Sequence, residues 1–315
     1  MTQDIKYLNP FDMLESAGVM PEAMAMPQKK AIEEINKALE GGWDINTLDQ
    51  YGGTALIDAC DRGLGEIALF LLEKGIDPKV HETTFNRTAL HYAASKGLIE
   101  VVKVLVMKGL DVNESGKNGF TPLILAANEQ RNAHLFNMKE KDMATGKEVK
   151  DSKRVKDADK GYQDYIDTIE FLLENKADPN AATKEKSHTS LHYAGETRAT
   201  EIIKLLFKYG AKPNLKAKEA GIIPLHFACR LDDVEAITVL VENGEDVNFQ
   251  DEYGFTPLHE AVLANQVNIV KYLLEKGADP KIGVTKGFSP YTNKENAIDI
   301  AKDKGFKDIL KLLEA

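Results

Sequence analysis

The chain has 315 residues, 43% of them hydrophobic and 29% charged, and a formal net charge of −10. That balance excludes a disordered polyelectrolyte and supplies enough apolar residue for a sizeable core. It argues against nucleic acid or an anionic membrane surface as partner, since both require a basic face, and leaves a basic protein surface open.

The chain starts Met1-Thr2-Gln3-Asp4, without a basic-then-apolar leader pattern. Its longest apolar stretches, such as Ile67 to Leu72, fall far short of the ~20 residues that cross a bilayer. A cytoplasmic protein is therefore expected. Five of the eight methionines, Met1, Met13, Met20, Met24 and Met26, lie in the first 26 residues. Residues 1–20 are read as a Met-rich segment covering the open end of the downstream helices. A degenerate helix near Pro21 to Met26 comes next, then a helix over Ala31 to Glu40. Its exit is Gly41-Gly-Trp-Asp-Ile-Asn46, with Trp43 packed inside.

From here a phrase recurs: Thr54-Ala-Leu-Ile57, Thr88-Ala-Leu-His91, Thr121-Pro-Leu-Ile124, Thr189-Ser-Leu-His192, Ile223-Pro-Leu-His226 and Thr256-Pro-Leu-His259. The starts are separated by 34, 33, 68, 34 and 33 residues. Thr suits an N-cap, and Pro suits the first helical position, where its missing N–H is no loss. Gly63 and Gly97 stand where these short first helices must stop. Amphipathic second helices come after them, with stripes Ile99, Val102, Leu105, Val106 and Val267, Val270, Leu273, Leu274. A second phrase closes them about 20 residues on, as in Gly75-Ile-Asp, Gly109-Leu-Asp, Lys176-Ala-Asp and Gly277-Ala-Asp. Lys176 replaces the glycine expected at that left-handed turn. Polar turns then project between repeats as fingers.

These phrases at a period near 33 resemble the ankyrin repeat. The resemblance implies an all-α solenoid of helix-turn-helix units with projecting β-hairpin-like fingers. Six full repeats and divergent N- and C-terminal capping units would cover residues 21–315. The C-terminal unit is Asn296-Ala-Ile-Asp-Ile-Ala301 and the helix from Phe306 to Leu313. The finger before it, Gly283 to Thr292, is longer than the others and carries Gly287, Phe288, Pro290 and Tyr291.

The 68-residue step places an insert at about 131–165, between the two helices of the third full repeat. From Lys139 to Lys160 it holds eight Lys or Arg and six Asp or Glu. It reads as a solvated loop or polar helix pair, or as a second contact surface.

No chemistry stands out. The resemblance gives His91, His192, His226 and His259 a structural task, hydrogen bonding between neighbouring loops. His81, His134 and His188 fall in expected loops without ligand spacing. Cys60 and Cys229 lie far apart and are expected as buried thiols. There is no HExxH, GxSxG or GxxxxGK[ST]. No catalytic residue, cofactor or metal site is expected, and the chain is read as not an enzyme.

The resemblance also implies that partners sit on the concave side, on finger tips and first helices. By motif position the finger candidates are Tyr51, Phe85, Arg87, Lys117, Phe120, Lys186, His188, Glu252, Tyr253 and Phe255. The helix candidates are Arg62, Lys96, Glu129, Arg230 and Leu231. Aromatic and Arg side chains at such places suit an interface. The expected function is protein binding, as adaptor, scaffold or occluding inhibitor, by a chain that is monomeric alone. A pathogen- or phage-encoded antagonist would look the same. An enzyme or small-molecule binder using the insert or a groove is the alternative.

Overall fold

The computed structural model describes residues 28–137, 153–231, 233–285 and 295–315, with side chains except over 130–137 and 153–160. The Met-rich start, the middle of the insert and the tip of the long finger lie outside the described residues. The chain divides into two compact units, Met1–Ala177 and Asp178–Ala315.

Unit 1 holds α1 (Gln28–Glu40) and three helix pairs: α2 (Ala55–Asp61) with α3 (Gly65–Glu73), α4 (Ala89–Ser95) with α5 (Ile99–Met107), and α6 (Pro122–Asn137) with α7 (Lys153–Glu174). Unit 2 holds α8 (Ser190–Gly195) with α9 (Thr200–Lys208), α10 (Pro224–Ala228) with α11 (Val234–Glu242), α12 (Pro257–Leu263) with α13 (Val267–Glu275), and α14 (Ala297–Lys304) with α15 (Lys307–Leu313). In each unit the first helices of successive pairs pack on one another, as do the second helices. Two helical layers result, and the core lies between them.

Helices this short are unstable alone and depend on caps and neighbours. Thr88, Thr189 and Thr256 are extended N-caps, and their N–H groups donate to Nδ1 of His91, His192 and His259 at 3.2, 3.1 and 3.0 Å. Nδ1 is therefore an acceptor and Nε2 carries the proton. In the fifth copy that Nε2 donates to the carbonyl of Phe255 in the next finger, at 3.1 Å. Burial first, and neighbouring positive charge second, push His91 down to about 4. His192 and His259 are also pushed down to about 4, chiefly by burial. These imidazoles are neutral at physiological pH.

The fifth copy departs from this scheme. Its cap is Ile223, whose side chain accepts nothing. Glu245, at a place where other copies bury Ile76, Leu110 or Ala278, compensates. Its Oε2 accepts the Leu225 N–H, in the first turn of α10, at 3.0 Å. Burial drives its carboxyl up to about 8, against the opposing Leu225 N–H.

The second helices bury a face displaced from the sequence stripe. Val101, Val102 and Leu105 are buried in α5, and Ile269, Val270 and Leu273 in α13. Ile99 and Val106 are only half-buried, and Val267 is 38% exposed. The reason is that each second helix contacts both its own first helix and the adjacent second helices, so consecutive residues are covered. Trp43, Cys60 and Cys229 are buried, as expected.

The second-helix exits are stitched by asparagines. In unit 2, Asn180, Asn214 and Asn248 each donate to the carbonyl of the next exit (Gly210, Gly244, Gly277) and accept an N–H two residues further on. In unit 1, Asn46 accepts from Asp77 and Asn113 donates to Lys176. Lys79 stands where the second rung would need an asparagine.

The insert is helical on both flanks: α6 has 16 residues and α7 has 22, against 7 and 9 in the preceding pair. The root of α7 is anchored, because the Tyr165 hydroxyl donates to the Ser95 carbonyl at 2.8 Å. Lys176 does adopt the left-handed turn, at φ 70°.

Both departures have measurable consequences. Lys176→Gly relieves a strained side chain and should raise stability by about 0.5–1 kcal/mol in urea unfolding. Between its ordinary pKa near 4.5 and about 8, Glu245 holds a proton in the folded chain that it loses on unfolding. Stability therefore falls as pH rises through that window. Glu245→Gln keeps the acceptor and removes this dependence. It should match wild type near pH 5 and exceed it at pH 8.5, by on the order of 3 kcal/mol.

Candidate functional site

Each finger closes on itself just before a cap: Asp49 N–H donates to Gly53 O, Gly116 to Phe120 O, Ala217 to Ile222 O and Asp251 to Phe255 O, at 2.8–3.0 Å. Carboxylates brace the tips. Asp49 accepts from Tyr51 and Gly53, Glu82 from Thr84, Phe85 and Arg87, and Asp251 from Tyr253 and Phe255. Burial pushes Glu82 up, but the Phe85, Arg87 and Thr84 N–H groups outweigh it and hold the carboxyl below its usual range. At Asp251 burial wins and the pKa is raised. Among the described residues the fingers are not paired strands but turns, with isolated bridges at Ala182–Thr189 and Gly283–Asn296.

Backbone bonds tie each finger to the next. Thr83 N–H donates to Tyr51 O and Lys117 to Phe85 O in unit 1, at 2.8 and 2.7 Å. Lys218 donates to Lys186 O, Glu252 to Ala220 O and Thr285 to Tyr253 O in unit 2, all at 2.8 Å. Gly254 is required for the last: a Cβ there would sit 2.5 Å from the Thr285 nitrogen.

In unit 1 the candidate tips Tyr51 and Phe85 are 57% and 42% exposed. Arg87 lies among the rings of Phe85, Tyr92 and Phe120. Lys117 is exposed, and Glu129 half-buried. Arg62 and Lys96 are exposed and pair loosely with Asp58 and Asp61, at 4.0 and 3.9 Å.

In unit 2 the candidates converge on a groove of about 670 Å³ between the fingers and the first helices. Lys186, Arg230 and Tyr253 line it. Lys186 pairs with Glu219 at 3.2 Å. Arg230 makes a bidentate pair with Glu260, at 2.9 and 2.8 Å, with its guanidinium 5.7 Å from the Phe227 ring. Glu252 is exposed and Leu231 half-buried, and neither lines the groove.

Two candidates are not the exposed finger residues the sequence suggested. Phe255 is buried, with its ring edge-on to His259 at 5.5 Å. His188 is buried too, stacked on His192 at 5.3 Å and flanked by Tyr193 and Phe227. Burial first, then the charge of Lys186, lowers its pKa. The last residue before each cap turns inward, so these side chains form the floor beneath the tips. His81, read as a plain loop residue, instead bridges repeats by a 2.6 Å contact with Glu114.

A family model described as ankyrin repeats (3 copies) matches residues 77–138 and 216–283. The crystal structure of the human ASB11 ankyrin repeat domain matches with a TM-score of 0.64, covering 84% of this chain and 99% of that one at 20% identity. This chain is an ankyrin-repeat protein. At that identity the likeness to the human domain is one of fold, and no curated protein matches the sequence.

Aligned as ankyrin repeats, the copies show what the motif positions missed. In the four copies that have the His, the residue after it is Tyr92, Tyr193, Phe227 and Glu260, and it lies beside the fingers. Phe227 and Glu260 line the groove this way, with Asp251 from the finger base. The sequence signal was there: this position varies in chemistry while its neighbours repeat.

Glu260 is buried and holds the half-exposed Arg230. Either single alanine substitution should cost about 1–3 kcal/mol, and the double variant less than their sum. A double-mutant cycle by urea unfolding should give a coupling near 1–2 kcal/mol.

Proposed function

We infer that this ankyrin-repeat protein binds another protein through the finger and first-helix side of its repeats. Ankyrin repeats are in general protein-interaction modules rather than catalysts. The observation that carries the reading is the unit 2 groove, where Lys186, Arg230 and Tyr253 meet an aromatic floor. Its side chains are held by the Glu219 and Glu260 pairs and the finger bonds. Little conformational freedom is then lost when a partner docks. Carboxylates from Glu196, Glu219, Asp251 and Glu260 outnumber the groove's cations, which favours a partner with a basic surface. Adaptor, scaffold and occluding inhibitor are all roles such a surface serves. Among the described residues no helix is long and apolar enough to cross a membrane. We place the protein in the cytoplasm, monomeric when alone.

One observation favours a second reading. The groove volume falls in the range of small-molecule sites. A pull-down from cell lysate compares wild type with Lys186→Ala/Tyr253→Ala and with a deletion of the helical insert. A prey lost only with the double variant places binding on the groove, and one lost only on deletion moves it to the insert. Absence of prey from every bait, with stabilisation of wild type by a metabolite in a thermal-shift screen, would overturn protein binding in favour of the small-molecule reading.

A further inference from the structure

Arg87 occupies a position that the other copies fill differently. The residue before the cap is Gly53, Phe120, His188, Ile222 and Phe255 in the remaining fingers, and His188, Ile222 and Phe255 are buried there. The second copy turns a guanidinium into this place. Its centre lies 4.8 Å from the Phe85 ring, 5.5 Å from Phe120 and 5.9 Å from Tyr92. Gly116 lets the next finger close over it. A Cβ there would come within 3.1 Å of the Arg87 Cγ and 2.9 Å of the Phe85 carbonyl.

This guanidinium has no carboxylate partner among the described residues. The nearest carboxylate in sequence, Glu82, is engaged by the Thr84, Phe85 and Arg87 backbone N–H groups. The Arg87 Nε is buried and has no hydrogen-bond acceptor among the described residues. Elsewhere on this protein Arg230, in a similar ring setting, has a bidentate carboxylate. Ring faces stabilise a cation but supply no in-plane acceptors for its fork of donors. Arg87 is thus half of an arrangement that the protein completes at Arg230 and leaves open here. Beside it stand two exposed aromatic tips, Phe85 and Tyr51, on fingers joined by the Thr83 to Tyr51 bond. Leu48, on the Tyr51 finger, is 52% exposed as well.

We propose that Arg87 is the anchor of a second recognition site, on the unit 1 fingers, for an acidic segment of a partner protein. An Asp or Glu carboxylate of that segment takes the guanidinium fork, and an adjacent apolar side chain lies on Phe85 and Tyr51. The proposal rests on the reading of this chain as a protein-binding module and adds the chemistry of the bound segment. The site is basic and aromatic within an acidic protein, so it selects a carboxylate in an apolar context rather than negative charge at large.

The test uses the full chain and an arrayed set of fluorescent peptides. Each peptide carries Asp or Glu flanked by Leu, Phe or Tyr. Matched peptides carry Asn or Gln, or phosphoserine, in place of the acid. Affinity is read by anisotropy. The expected result is that some acidic peptides bind wild type and that their amide counterparts are weaker by about ten- to a hundredfold. Arg87→Met should lose a similar factor. Arg87→Lys should recover part of it, since an ammonium keeps the charge but not the fork. Tyr51→Ala should weaken binding, and Lys186→Ala/Tyr253→Ala should leave it unchanged. Circular dichroism confirms that each variant is folded. Should Arg87→Met not fold, Arg87→Lys against the amide peptides decides. Acidic peptides that bind Arg87→Met and wild type alike would overturn the assignment, as would phosphopeptides preferred by more than about tenfold. Binding lost only with Lys186→Ala/Tyr253→Ala would also overturn it, while supporting the groove. An array without any binder would overturn this site and leave the pull-down to decide the wider reading.

Discussion

Three residues after the cap in the second, fourth, fifth and sixth copies sits an imidazole with no access to water. It accepts the cap's N–H through Nδ1, and so must present its proton from Nε2. Where that donor meets the next finger, as from His226 to Phe255, the start of one helix and the end of the following finger become a single hydrogen-bonded structure. The constraint is strict, because a second proton would turn Nδ1 into a donor facing the cap's N–H and leave a buried charge without a partner. Everything outward of it inherits the register: the finger closure, the finger-to-finger bonds, and the tips that face a partner.

The same constraint explains how the repeats tolerate change. The fifth copy loses its hydroxyl cap at Ile223, and a carboxyl from a different segment, Glu245, reaches the orphaned N–H of Leu225. A requirement set by the backbone is met by whichever side chain can reach it. The binding face is freer. The side chains of the tips, of the residue before the cap and of the residue after the His are not needed for closure, so they carry chemistry instead: rings around a guanidinium in unit 1, and a groove with paired ions in unit 2. Framework and recognition use different positions of the same short phrase.

This division decides what could be read from the sequence. Thr-x-Leu-His at a 33-residue period fixes caps, helix starts and stops by local physical chemistry, and those elements fall where the phrases put them. Lys176 could be recognised as a substitute in a left-handed turn for the same reason. Partner-facing residues were less legible. Phe255 and His188 look like tip residues in a linear count, yet the turn preceding the cap rotates that position inward. Phe227 and Glu260 look like interior helix residues, yet they reach the groove. Both errors arise because such short fingers and helices change direction within a residue or two, a scale that spacing alone does not resolve. The pairing of Ile223 with Glu245 was illegible for a different reason: the two lie in different segments and meet only when the repeats stack.

The asparagine stitching has a mechanical meaning. Each rung joins only adjacent exits, so a tension applied along unit 1 passes from one rung to the next in series. Lys79 leaves one rung out: its backbone N–H turns back to Asp77 as the asparagines' do to their own aspartates, but its side chain has no acceptor with which to receive an N–H from the following exit. A load on unit 1 is therefore not shared evenly. Between the second and third exits, beside the finger that carries Phe85 and Arg87, the load passes instead through the His81–Glu114 contact and the Lys117 to Phe85 backbone bond, so a pull there bears on side chains and fingers where the other steps are held by an asparagine.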